Sequence, residues 1–153
     1  MKLLIDTNVV LDFLLAREGA EAAKEIFKLA EEHSEYECVT ASSVTDILYT
    51  LTKANKERNH QNESGKTNKE IETESARMLS DFLTIVHILP VTEHDVKTAF
   101  SLGWDDIEDA LQYSVAVSND VDVIITSNVK DFENSNIPVK RPGDFLNERN
   151  TNN

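Results

Sequence analysis

Apolar residues run without interruption from Leu3 to Ile5 and stop at Asp6, the pattern of a strand covered on both faces. Over residues 20–34 the spacing changes. Ala22, Ala23, Ile26, Phe27 and Ala30 recur at three- and four-residue steps with charges between them, which predicts an amphipathic helix. Residues 36–40 read as a second strand, and Val44, Ile47, Leu48 and Leu51 as another helical stripe. Ile71, Met78, Leu79, Phe82, Leu83 and Val86 give a third. Between those stripes, residues 55–68 carry no apolar side chain and predict a loop or a frayed helical hairpin. Residues 87–91 predict a strand, and Thr92 with Asp95 has the spacing of a capping box opening a short helix through Phe100. Ile107, Ala110, Leu111, Ser114, Val115 and Ser118 mark the next helix, residues 121–126 a strongly apolar strand, and residues 137–140 a last edge strand. Pro142 can open a final helix carrying Phe145 and Leu146.

Strands alternating with helices predict an α/β domain: a central, mainly parallel sheet with helices on both faces. One domain over residues 1–149 is expected, with a disordered tail at 150–153, Asn-Thr-Asn-Asn. In sheets of this kind ligands gather at the carboxyl ends of the strands, so the residues just past each apolar run come first in any search for chemistry.

Composition narrows the class. Across 153 residues, 40% are hydrophobic and 28% charged, as in a globular chain large enough to bury a core without staples. The single cysteine, Cys38, permits no internal disulfide and sits in an apolar context, reading as a small core residue in a reducing compartment. No apolar run approaches the roughly 20 residues of a bilayer span, so a soluble cytoplasmic protein is expected. The formal net charge of −13 opposes long-range attraction of a polyanion, unless many of the acids hold divalent cations or a basic partner covers them.

Four places carry the acids. Asp6 and Asn8 follow the first strand, where either could simply cap a helix. Asp46 falls one turn inside a predicted helix that Ser42 and Ser43 could cap. Asp105, Asp106, Glu108 and Asp109 crowd one helix start. The macrodipole there welcomes one or two of them, while Asp106 and Asp109, spaced i, i+3, share a face and repel. Finally Thr126, Asn128 and Asp131 follow the strand at 121–126. If the sheet is parallel these places can converge on one edge, giving an oxygen-lined site of the kind that Mg²⁺ or Mn²⁺ occupies.

In this setting the chain resembles the PIN-domain family, in particular its VapC-like toxin ribonucleases, from Met1 to about Leu146. The opening Leu-Ile-Asp-Thr-Asn-Val is similar to the family's first strand and first catalytic aspartate, and Asp109-Ala110-Leu111-Gln112 to its third acidic motif. Ile-Ile-Thr-Ser-Asn followed by Lys-Asp-Phe resembles the fourth, and Ile-Pro-Val through Pro-Gly-Asp-Phe-Leu the usual ending. Four short motifs in register are jointly specific where each alone is weak. Two positions depart from the pattern: Asp46 stands where glutamate is commonest, and Asn128 where many relatives carry aspartate.

The resemblance implies a PIN-like three-layer sandwich and a metal-dependent endoribonuclease, the toxin of a type II toxin-antitoxin pair. It implies Asp6, Asp46, Asp109 and Asp131 as catalytic, and the same four with Asp106 as ligands of Mg²⁺ or Mn²⁺. Thr7, Asn8, Thr126 and Asn128 would orient those carboxylates and their waters. The implied partners are RNA, an antitoxin protein and a second copy of the chain. The apolar stripe from Ile71 to Val86 is the candidate dimer surface. Lys53, Lys56 and Arg58, in a locally basic stretch, are candidates for phosphate contact. A catalytically silent PIN-fold scaffold or RNA-binding module is the alternative, and a phosphatase-like or response-regulator-like protein a third reading. Ser64-Gly65-Lys66-Thr67 lacks the first glycine and the preceding strand of a phosphate-binding loop. The four histidines show no zinc spacing, and Trp104 reads as a packing anchor.

Overall fold

The computed structural model describes residues 1–152. Its strands are β1 (Lys2–Ile5), β2 (Tyr36–Thr40), β3 (His87–Leu89), β4 (Val123–Ile125) and β5 (Val139–Lys140). They form a wholly parallel sheet in the order β3-β2-β1-β4-β5. Leu3, Leu4 and Ile5 in the central strand are 0% exposed, because each face meets helices and an apolar run without alternation is what such a strand requires.

Among the described residues, seven helices enclose the sheet: α1 (Thr7–Leu14), α2 (Ala20–Glu31), α3 (Ala41–Asn62), α4 (Asn68–Phe82), α5 (Glu93–Ser101), α6 (Ile107–Ser118) and α7 (Pro142–Thr151). Leu3, Ile5 and Val39 point into the larger core, built with Val9, Ile26, Phe27, Ile47, Leu79, Phe82 and Phe145 from α1 to α4 and α7. Leu4, Cys38 and Ile124 point the other way, to Tyr113, Val115 and Ala116 of α6 and to Phe132. The three layers follow. Phe13, Phe27 and Phe82 meet as a trio, with the Phe27 and Phe82 rings edge-on at 4.9 Å.

Several expectations are corrected. Of the loop and the helical hairpin expected for the apolar-free stretch, the hairpin forms: α3 continues to Asn62, and only a short turn separates it from α4. What holds this hairpin is polar: Asn55 donates to the Ser75 hydroxyl at 3.0 Å, Lys56 pairs with Glu72 at 2.7 Å, and Asn59 donates to the Lys66 carbonyl. Periodicity of apolar residues is blind to such contacts. Thr67, in the loop discounted for phosphate binding, caps α4 in a capping box with Glu70. Asn150 and Thr151, expected in a disordered tail, complete α7; Asn153 lies outside the described residues. Most of the stripe considered for a dimer surface is core, with Ile71, Leu79, Phe82 and Val86 all at most 6% exposed, while Met78 stands 40% exposed.

From β1 the chain winds one way to β2 and β3, then returns to the other side of β1 for β4 and β5. The carboxyl ends of β1 and β4 therefore flank the point where winding direction reverses, the crevice in which open α/β sheets bind ligands.

Candidate functional site

Asp6 is the first residue past β1, and its amide continues the ladder to the Ile125 carbonyl of β4 at 2.9 Å. It precedes α1, yet its side chain makes no capping bond to that helix. The carboxylate turns inward instead, 3% exposed. Oδ1 accepts from Gln112 Nε2 at 3.0 Å and Oδ2 from the Thr126 hydroxyl at 2.8 Å. Thr126, fully buried just past β4, also accepts from the Asn128 amide at 3.1 Å. A buried carboxylate costs several kcal/mol unless donors compensate, and the fold supplies these from α6 and from the end of β4.

The other acids arrive on separate elements. Thr40, not Ser42 or Ser43, caps α3 by accepting from the Ser43 amide, and Asp46 emerges exposed on the second turn. Asp106 caps α6, its Oδ1 accepting from the amides of Glu108 at 2.8 Å and Asp109 at 3.2 Å. Thus the capping explanation holds for Asp106, while Asp109 stands half-buried one turn into the helix. Asp131 sits exposed in a single 3-10 turn, Val129–Phe132.

Mutual electrostatics show that these carboxylates share one neighbourhood. Burial pushes the Asp109 carboxyl up to about 7, with the charges of Asp6, Asp106, Asp131 and Glu108 adding to it. Glu108 is also pushed up to about 7, by burial and then by Asp46, Asp6 and Asp106. Burial raises Asp6 too, against the hydrogen bonds from Gln112 and Thr126. Proximity of like charges at a shared site is the second physical cause. A cavity of about 340 Å³ opens beside them, lined among others by Trp104, Asp106, Asp109, Lys130 and Asp131.

Asp6, Asp106, Asp109 and Asp131 therefore feel one another's charge, Asp46 joins them through Glu108, and their donor chemistry, hard carboxylate oxygen alone, fits Mg²⁺ or Mn²⁺. Among the described residues no three acidic, histidine or cysteine side chains already stand close enough to clasp an ion.

The supporting residues divide. Thr126 orients Asp6 directly, and Asn128 reaches that pair only through its backbone amide. Thr7 donates instead to Glu108, at 3.4 Å, and Asn8 is exposed on the first turn of α1. Of the basic residues, Lys56 is held by Glu72 and Arg58 donates to the Leu15 carbonyl at 2.6 Å. Both fasten the α3 hairpin to its neighbours. Lys53 is exposed with neither a side-chain hydrogen bond nor an ion pair among the described residues, about 10 Å along α3 from Asp46 by helical rise. Trp104 is the packing anchor expected, stacked on Tyr113 at 5.0 Å and edge-on to Phe132.

Sequence reading gave no role in this site to three residues: Gln112, Glu108 and Lys130. Gln112 was findable, being three residues after Asp109 and so on the same helical face. Glu108 was hidden in a run of acids whose dipole role explained it already. Lys130 gains meaning only from the cavity.

A family model for the PIN domain matches residues 2–130. Among solved structures, the chain is similar to one from the VapBC2 complex of Rickettsia felis bound to a promoter DNA fragment (TM-score 0.67, 14% identity, covering 92% of this chain and 98% of that one). A toxin-antitoxin complex from Klebsiella pneumoniae matches with TM-score 0.59 and 20% identity over 92% of this chain and 97% of the other. VapBC-1 of nontypeable Haemophilus influenzae matches with TM-score 0.60 and 16% identity, over 94% and 99%. A comparison with curated proteins gives no significant match.

Proposed function

The chain belongs to the PIN-domain family, and from that membership we propose that it is a metal-dependent endoribonuclease hydrolysing RNA phosphodiester bonds. The observation that supports the proposal is the mutual electrostatic coupling of Asp6, Asp106, Asp109 and Asp131 beside the switch point of the sheet, with Asp46 joined to them through Glu108. Asp6, Asp46, Asp109 and Asp131 would be catalytic as holders of Mg²⁺ or Mn²⁺, with Asp106 joining them through its free oxygen. Bound there, such an ion stabilises charge on phosphate oxygens and lowers the pKa of a bound water.

The protein's own part is to preset these groups. Gln112 and Thr126 fix both oxygens of Asp6, so its carboxylate needs no reorganisation. Asp106 stiffens the first turn of α6 and so places Asp109. Lys130 brings positive charge to the edge of an acidic cavity, where a phosphate needs a counter-charge. The placing of a carboxylate buried to 3% at the switch point, held by two donors, supports a working site over the silent alternative.

The complexes named above support a further reading: this chain is the toxin of a type II pair, silenced by an antitoxin. A basic antitoxin segment would offset the net charge of −13. We also propose a homodimer, resting on apolar side chains left outside on α5 and α6, Phe100 at 67% and Val117 at 52% exposure. Among the described residues, no helix is long and apolar enough to cross a membrane. The deciding experiment is cleavage of a mixed RNA substrate. Chelation should abolish it and Mg²⁺ or Mn²⁺ restore it, whereas cleavage indifferent to chelator would sink the mechanism.

A further inference from the structure

Glu37 lies at the opposite end of the sheet from the acids discussed above. It is the second residue of β2, paired in register with Leu3, and strand alternation puts it on the same face as Val39 in the larger core. It is 1% exposed, and neither carboxylate oxygen has a hydrogen-bond partner among the described residues. Burial, with the nearby charge of Glu35, pushes its carboxyl up to about 8. At this position the strand pattern asks for valine or leucine, and an unsatisfied buried polar group costs about 1–3 kcal/mol. The core carries that cost without any return visible inside the chain.

Glu37 lines a cavity of about 400 Å³ together with Glu31, Glu35, Ile85, Val86 and His87. Two helices end at this place: α2 at Glu31, and α4 at Phe82, just before the lining residues Thr84 to Val86. Helix carboxyl ends carry partial negative charge, so carboxylates and helix ends favour the same sign of visitor. The nearest cations are already engaged, since Glu35 binds both the Met1 amino group and Arg149. His33 and His87 are exposed at the rim, His87 stacked on Tyr36 at 3.8 Å.

We propose that this cavity is a second binding site, taking a small organic cation that carries a primary ammonium group on a short alkyl chain, with Glu37 as its counter-ion. The ammonium supplies donors to two oxygens that have none, while Ala30, Ile85 and Val86 give its methylenes an apolar wall. A metal ion suits the place less well, because the neighbouring Glu35 is already engaged by the Met1 amino group and Arg149. The site is independent of the nuclease reading.

The test is calorimetric titration of the full chain with 1,4-diaminobutane at pH 7, in two buffers of different ionisation enthalpy. Saturable binding is expected, with close to one proton released as Glu37 ionises against the ammonium. Glu37→Gln should bind at least about tenfold more weakly, a loss of about 1.4 kcal/mol, and release no proton, while Asp109→Asn binds as the parent does. Absence of binding by the parent chain, equal binding by Glu37→Gln, or a loss caused by Asp109→Asn instead would overturn the proposal. Should Glu37→Gln fail to fold, carboxyl carbon NMR of the parent chain decides. The Glu37 titration midpoint must fall by about one pH unit with the amine present, and an unmoved midpoint rejects the site.

Discussion

Thr126→Val is the most direct probe of how Asp6 is held. Valine nearly reproduces the shape of threonine, so the fully buried position stays filled and the change isolates one hydroxyl. That hydroxyl donates to Asp6 Oδ2 at 2.8 Å and accepts from the Asn128 amide at 3.1 Å. A hydrogen bond to a charged group contributes about 1.5–3 kcal/mol and a neutral one about 0.5–1.5. The Asn128 amide is near the surface and can turn to water, so its share is recovered in part. The Asp6 carboxylate cannot, because it is 3% exposed. A destabilisation of about 2–3 kcal/mol is expected in urea unfolding at pH 7, or a fall in Tm of roughly 4–12 °C for a chain of this size. Gln112→Leu should cost a similar amount, and the two together less than their sum, because both act through one carboxylate. Cleavage should drop about 10- to 100-fold, the usual loss when the group that orients a metal ligand is removed. A Thr126→Val protein within about 0.5 kcal/mol of the parent would refute the claim that this bond offsets the burial of Asp6.

Asp109→Asn should abolish cleavage and alter the dependence of stability on pH in the metal-free protein. The folded chain keeps the Asp109 proton to about pH 7, the unfolded chain only to about 3.8, so the parent loses stability as pH rises between those values and then levels off. The variant should lack that loss and gain about 1–2 kcal/mol at pH 8, a figure reduced for half-exposure and screening. Parallel urea profiles of the two proteins at pH 5 and pH 8 would contradict the assignment. Lys53→Gln and Lys130→Gln should each flatten the salt dependence of RNA binding by a slope of about 1. Arg58→Gln should lower Tm and leave that slope alone, and the reverse pattern would restore Arg58 to the substrate surface. Sedimentation at tens of micromolar should give a dimer that Phe100→Glu dissociates; a monomeric parent chain would remove the homodimer.

The order of elements was legible because it rests on local pattern. Uninterrupted apolar runs mark strands buried on both faces, as Leu3 to Ile5 are, and a 3.6-residue spacing marks helices that cover them. Strand ends could be found the same way, which is why Asp6, Thr126 and Asp131 stood out before any coordinates. The polar end of α3 was not legible, since Asn55, Lys56 and Asn59 find their partners only across the hairpin. Nor was the fate of the Ile71 to Val86 stripe, because periodicity shows that a face is apolar and not what covers it. Tertiary structure alone decided which neighbour each polar group met. It gave Asp6 to Gln112 and Thr126, took Arg58 for the Leu15 carbonyl, and left Glu37 buried with no partner. Pairings between residues distant in sequence follow from the order in which strands lie side by side, and that order is fixed by packing of the whole sheet, which no local spacing encodes.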